Sequence, residues 1–282
     1  MSLYQDADEL KTLVLGKTTD YKSEYAPELL QGVPRALNRE DLNLDGDLPF
    51  YGEDVWYGYE LSWLEPGGKP RVAVAEFRFS CNSVNLVESK SFKLYLNSLN
   101  QSRFADSAAV EKTLTEDLTK VAQGDVTVTL FDVDDCPPLA ISAIDAIKID
   151  NIDLTVDGFE FDREILKTAC ADTSDIVEEK LVSHLLKSNC LITNQPDWGS
   201  VYISYKGPAI NHKVLLSYII SFRMHNEFHE QCVERIYTDI MEFCQCQSLT
   251  VFARYTRRGG LDINPYRSSE NTSAPQNRTL RQ

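Results

Sequence analysis

The order strand, helix pair, strand runs twice along this chain, and that repetition limits the fold more than any single residue does. In the first block, Arg71 to Phe79 alternates so that Ala73, Ala75, Phe77 and Phe79 share one face of a strand. Asp106 is placed as the N-cap of a helix whose Val110, Leu114, Leu118 and Val121 form one stripe. A further strand follows, with Val126, Val128 and Leu130 inward and Thr127 and Thr129 outward. In the second block, a strand carries Val201, Ile203 and Tyr205 on one face, and a helical stretch opens near Lys213. That stretch breaks around His225-Asn226 and resumes with the stripe Val233, Ile236, Tyr237, Ile240 and Cys244. A strand from Thr250 to Thr256, a Gly259-Gly260 turn and a short strand near Asp262 to Tyr266 complete it. Helices that come in pairs, without alternating with single strands, favour an α+β fold with antiparallel pairing over a doubly wound parallel sheet.

The expected organisation is an irregular, polar segment 1–50 with a turn at Gly32-Val33-Pro34-Arg35, a first module 51–135, a second module 136–267 and a loose polar tail 268–282. The stretch 135–175 links the blocks and is expected to add strand, as in the run from Leu154 to Phe161.

With 282 residues the chain is long enough for one large domain or two ordinary ones. No apolar stretch is long enough to span a bilayer. The acidic first nine residues hold no apolar signal core. Seven cysteines at irregular spacing read as reduced thiols, so the expected location is cytoplasmic. The net charge of −15 argues against a nucleic-acid surface and for a small-molecule substrate. Positive charge is local, at Lys90 and Lys93 and at Arg254, Arg257 and Arg258, which suits a small phosphorylated ligand.

Three clusters carry chemistry. Cys190 stands seven positions before Asp197, with Pro196 expected to bend the chain between them. A thiol beside a carboxylate can serve as a nucleophile with its own proton donor, and the flanking Lys187 would favour thiolate. In the run from Glu88 to Ser98, Glu88 and Lys90 open a helix on which Lys90 and Lys93 share a face. In His225-Asn226-Glu227-Phe228-His229-Glu230-Gln231-Cys232 the order is not His-Glu-x-x-His, which removes a zinc-protease reading. Two alternatives stay open there: a zinc site built from His229 with His225, four positions away and on one face if the helix is unbroken, and with Cys190 or Cys232, or His229 and Glu230 opening a helix and facing a purine-like ligand. The chain has neither a G-x-G-x-x-G nor a P-loop motif, so a Rossmann or P-loop nucleotide site is not expected.

Taken together these clusters resemble the 7-cyano-7-deazaguanine reductases, the NADPH-dependent nitrile reductases of queuosine biosynthesis. The matching residues are Glu88 to Tyr95, Cys190 with Asp197, Phe228-His229-Glu230, and Arg254 to Gly260. The resemblance is to the two-module form and covers nearly the whole chain. It implies tandem tunnelling-fold modules, each an antiparallel four-stranded sheet carrying two antiparallel helices on one face, with two chains completing a barrel as a homodimer. It further implies that Cys190 attacks the nitrile carbon to give a thioimide, that Asp197 protonates the nitrile nitrogen and that His229 is a proton source for the second reduction. Val87, Glu88, Ser89, His229 and Glu230 would then bind 7-cyano-7-deazaguanine, and Ser89, Lys90, Arg258 and Gly259 would hold NADPH. No metal, membrane or nucleic-acid partner is expected. The rival readings are a zinc-dependent purine or pterin enzyme of the same fold, a base-binding module without catalysis, and a cysteine hydrolase. The last lacks a convincing partner, since His184 lies six positions before Cys190 in an apolar run.

Overall fold

The computed structural model describes residues 21–282, with the exception of residues 45, 143 and 171. The acidic residues 1–9 therefore lie outside the described residues, as does the rest of 1–20. No helix is long and apolar enough to cross a membrane among the described residues.

The elements in chain order are β1 (Gly32–Pro34), α1 (Ala36–Asp41), β2 (Tyr51–Leu64), β3 (Pro70–Ser80), β4 (Asn85–Val87), α2 (Ser89–Ser98), α3 (Ser107–Ala122) and β5 (Val126–Phe131). They continue with β6 (Ile147–Lys148), β7 (Ile176–Ser183), β8 (Lys187–Asn189), β9 (Pro196–Pro208), α4 (His212–Ser221), α5 (His229–Cys244), β10 (Ser248–Tyr255) and β11 (Leu261–Ser268). The chain is thus mixed α+β and rich in antiparallel pairing, as its periodicities predict.

Among the described residues one sheet gathers nine strands in the order β5-β3-β2-β11-β10-β9-β7-β6, with β8 paired to β9. The two blocks meet where β11 pairs β2, from Leu261 opposite Gly58 to Ser268 opposite Tyr51. One face carries the helices. Ala73, Ala75, Phe77 and Phe79 lie there beneath Phe92 of α2 and Val110, Leu114 and Leu118 of α3. In the second block Val201, Ile203, Val251 and Ala253 lie beneath α4 and α5. The alternate residues Val55, Tyr57, Tyr202, Phe252 and Tyr266 form a smaller cluster on the opposite face. Each fully buried apolar side chain contributes about 1.5–3 kcal/mol relative to exposure, so these alternations fix the register of every strand.

The helix ends echo the repeat. Asp106 accepts from the Ala109 amide at 2.8 Å as the N-cap of α3. Both α3 and α5 close on a glutamine in the left-handed region, Gln123 and Gln245, each at φ 51°.

The structure departs from the sequence reading in four places. The first block gives the sheet three strands rather than four, because β4 leaves it to pair with β1. Gly32-Val33-Pro34 forms that strand and not a turn. Proline is tolerated in such an edge strand, where its missing N–H removes no interior ladder bond. The run from Leu154 to Phe161 is coil. The neighbouring edge of β7 is occupied by β6, through Ile147 opposite Leu181, so no partner is left for it there. The polar tail is tied to the far face. Buried Arg254 donates to the carbonyls of Pro275 and Gln276 and to Gln282 Oε1, and Gln282 Nε2 donates to Asn264 at 2.6 Å. A buried guanidinium must find acceptors, and the tail supplies them.

A buried charge network sits under the site. Arg267 spans Asp54 and Glu234 at 2.8 Å each, Arg35 reaches Asp54 at 2.6 Å, and Arg39 reaches Glu234 at 2.7 Å. It ties the β1–α1 segment to β2, β11 and α5.

Candidate active site

Three local structures meet at one cleft. The first is the hairpin β8–β9. Ser188 pairs with Asp197, and the Cys190 amide donates to the Gln195 carbonyl at 2.8 Å. Alternation along the hairpin places Cys190, two residues past Ser188, on the face that carries Asp197. The bend between them is made by Asn194 at φ 55°, whose amide donates to the Cys190 carbonyl, and not by Pro196, which opens β9 opposite Asn189. Lys187 is turned away from Cys190: its Nζ donates to Asn189 Oδ1 and to the Arg223 carbonyl.

The second structure is the start of α5. Phe228 is its N-cap, and His229 and Glu230 are its first two residues. His225 lies before the helix break and faces Glu227 at 3.1 Å, so the two histidines do not share a helical face. The third is the start of α2, where Glu88 caps the helix by accepting from the Lys90 and Ser91 amides at 2.8 and 2.7 Å.

These pieces converge. Val87, Glu88, Ser89, Cys190, Asp197, His229, Glu230 and Arg258 all line one cleft of about 440 Å³, counting its open mouth. An adjoining cleft of about 910 Å³ is lined by Ser89, Lys90, Lys93, Arg258 and Gly259 and shares Cys190 and His229 with the first. Every residue that the resemblance assigns to substrate, cofactor or chemistry therefore borders this double cleft, with contributions from both blocks of a single chain.

The electrostatics differ from group to group. Asp197 is 3% exposed, and burial alone would push its carboxyl up. His229 and Arg258 outweigh burial and hold it below the usual carboxylate range. His229 Nε2 stands 3.3 Å from Asp197 Oδ2, at ion-pair distance but without hydrogen-bond alignment. Arg258 Nη1 donates to Asp197 and Nη2 to Gln195 Oε1. Glu230 is the opposite case. Burial, and then the Asp54 carboxylate, push it up to about 7. It makes no ion pair among the described residues, and the charges of His229 and Arg35 only partly offset the rise. Burial likewise raises Glu88, against the two amides it caps.

Among the described residues no three His, Cys, Asp or Glu side chains converge as metal ligands. Cys232 is sealed in the core next to Ser188 and Tyr255, and burial pushes its thiol well up, so the set Cys190, His229 and Cys232 does not assemble as a zinc site. His184 bonds Ser200 at 2.8 Å and does not border the cleft.

The NADPH-dependent 7-cyano-7-deazaguanine reductase of Colwellia psychrerythraea is 63% identical to this chain over 286 aligned residues, which cover 100% of both chains. The chain belongs to the 7-cyano-7-deazaguanine reductase family. Two family models divide along the blocks: one described as nitrile reductase, 7-cyano-7-deazaguanine-reductase N-term, matches residues 21–130, and one described as QueF-like protein matches residues 196–274.

Sequence reasoning missed several lining residues of this reductase-family cleft. Val33, Trp56, Leu86, Phe228 and Ile263 form its apolar wall. Apart from Phe228, which stands in the matching run Phe228-His229-Glu230, their signal in the sequence is that of ordinary core positions. Val33 also comes from the segment expected to be irregular. Tyr255 lies under His229, with ring centroids 3.9 Å apart and planes at 24°. Only its place within the Arg254 to Gly260 run hints at that.

Proposed function

We propose that this chain reduces the nitrile 7-cyano-7-deazaguanine to 7-aminomethyl-7-deazaguanine with NADPH, through a Cys190 thioimide, as a step of queuosine biosynthesis. The observation that carries this reading is the convergence of Cys190, Asp197, His229 and Glu230 with Val87, Glu88 and Ser89 in one narrow cleft. The full-length identity to the Colwellia reductase supports it.

Glu230 is the ring anchor. Its carboxyl makes no ion pair among the described residues, and a deazaguanine edge offers ring N–H and amino donors whose bonds an ionised carboxylate can accept. Cys190 attacks the nitrile carbon. Its thiol proton passes to the Asp197 carboxylate and from there to the nitrile nitrogen, so the new C–S bond and the new N–H bond balance the lost S–H bond and one C≡N π bond. An aspartate held ionised by His229 and Arg258 suits this relay, since it must first accept the proton that it later donates. Thiolate addition turns an unreactive nitrile into an imine-like carbon that accepts hydride readily. NADPH held in the adjoining cleft would supply one hydride per molecule and two molecules in turn: after the first addition the C–S bond breaks, which returns the Cys190 sulfur and leaves an imine, and the second addition takes that imine to the amine. His229, beside Asp197 at the mouth shared by both clefts, delivers a proton to the developing amine, and the apolar wall excludes the water that would hydrolyse an imine.

The adjoining cleft fits a phosphorylated cofactor. Gly259 has φ +60°, and a Cβ there would meet Lys93 Cδ at 3.0 Å, so the loop lies close against the lysine. Ser89, Lys90, Arg258 and Gly259 would hold NADPH there. Lys93, expected to grip phosphate with Lys90, is instead paired with Glu60 at 3.1 Å and bonded to the Gly259 carbonyl, which shapes the loop.

At the level of architecture the proposal assigns residues 51–135 and 136–267 to two tunnelling-fold modules, the first reduced to three sheet strands, and assembles two chains into a barrel in the cytoplasm.

Mass spectrometry tests the chemistry. The cyano base alone should add its full mass to the wild-type protein and to Cys232→Ala, and nothing to Cys190→Ala. Two NADPH should then be consumed per amine formed. An adduct on another cysteine would overturn the assignment.

A further inference from the structure

The pairing of β9 with β10 places a glycine opposite a tyrosine: Gly199 faces Tyr255 in register. Gly199 lies two residues past Asp197, on the same face of β9. A Cβ at Gly199 would meet Tyr255 Cδ1 and Cε1 at 3.2 Å each, so the tyrosine ring occupies the space that the glycine leaves. The His229 imidazole stacks on the same ring, 3.9 Å away between centroids and tilted by 24°. Tyr255 is 1% exposed, and its hydroxyl end is wedged beside Cys232 and Ser188, so the ring has no room to swing.

We propose that Gly199 and Tyr255 form a two-tier support that sets the height and plane of the His229 ring against Asp197. Tyr255 is thus a positioning residue. Asp197 and the support rise from one strand, so the 3.3 Å separation of His229 Nε2 from Asp197 Oδ2 is set by the stacking thickness of one aromatic ring on a bare backbone. Offset stacking also favours one imidazole plane over others. Arg258, Glu230 and Cys190 line the same cleft as His229, whereas Tyr255 does not line it. The inference deepens the reading above, because it bears on turnover only if His229 acts on the substrate.

NMR of the histidine ring protons in the full-length protein tests it, the His229 signal being the one of four absent in His229→Gln. The stacked tyrosine should shield these protons. Tyr255→Phe should keep the shielding and most of the rate, Tyr255→Leu should abolish the shielding, and Gly199→Ala should displace it by pressing the ring outward. In the latter two, kcat should fall by on the order of 10²-fold, with the KM for the base little changed. If Tyr255→Leu fails to fold, Gly199→Ala and Tyr255→Phe decide alone. Unchanged His229 signals in Gly199→Ala would overturn the proposal, as would a rate loss in Tyr255→Phe equal to that in Gly199→Ala. Undiminished turnover in His229→Gln would instead sink the role of His229 while leaving the support to be judged by the signals.

Discussion

Replacing Glu230 with glutamine should make the protein more stable and much less able to hold its substrate. Glu230 is 4% exposed, and burial with the nearby Asp54 raises its pKa from an ordinary 4.5 to about 7. The folded chain therefore keeps a proton that the unfolded chain gives up. The stabilising contribution is complete below about pH 4.5 and is lost as the pH rises to about 7. At about 1.4 kcal/mol per pH unit, that interval removes about 3 kcal/mol from the wild type. Glutamine carries no charge, so Glu230→Gln should escape this loss. Urea unfolding from about pH 5 to pH 8 measures it: the two stability curves should diverge with rising pH, with the variant ahead by about 3 kcal/mol at the alkaline end. Substrate binding moves the other way. Measured in a Cys190→Ala background to prevent adduct formation, loss of charge-assisted bonds worth about 1.5–3 kcal/mol each should weaken the base by on the order of 10²-fold. Wild-type binding should also release a proton near pH 6, because the bound ring favours the ionised carboxylate. Parallel stability curves for the two proteins would refute the claim that the cleft holds an under-compensated carboxylate.

Arg258→Ala should raise the Asp197 carboxyl toward the normal range, since one of its two counter-charges is gone. The acid limb of adduct formation, followed by mass spectrometry against pH, should then move to higher pH, and NADPH affinity should fall in the same variant. Lys90→Ala should weaken NADPH more than the base in titrations of each, whereas equal loss of both would make Lys90 a purely structural residue. Arg267→Met should destabilise the chain by about 3–5 kcal/mol in denaturant titrations, because Asp54 and Glu234 would each lose a 2.8 Å partner while staying buried.

What was legible in the sequence followed from local rules. The alternation at Ala73 to Phe79 and the stripe of α5 are periodicities that burial imposes directly, and Asp106 caps α3 by a bond three residues long. The candidate reacting residues were legible because the short runs that hold them resemble those of the reductase family. What escaped depended on distant partners. Nothing near the tail announces that its carbonyls and Gln282 satisfy Arg254. Nothing near Gly32 announces Asn85 to Val87 as a partner strand, so glycine and proline read as a turn. Pro196 misled for the same reason: its ring suits the first position of a strand as well as a bend, and Asn194 takes the left-handed position instead. The apolar wall escaped because Trp56 and Ile263 look like any other inward-facing strand residues until the cleft beside them is seen.

The ladder between β2 and β11 runs for eight residues on each strand, from Leu261 opposite Gly58 to Ser268 opposite Tyr51. Halves stitched together along so long a seam do not swing apart as jaws do. For the function proposed above, base and cofactor must then enter clefts whose two sides, one from each half, are held at a fixed separation.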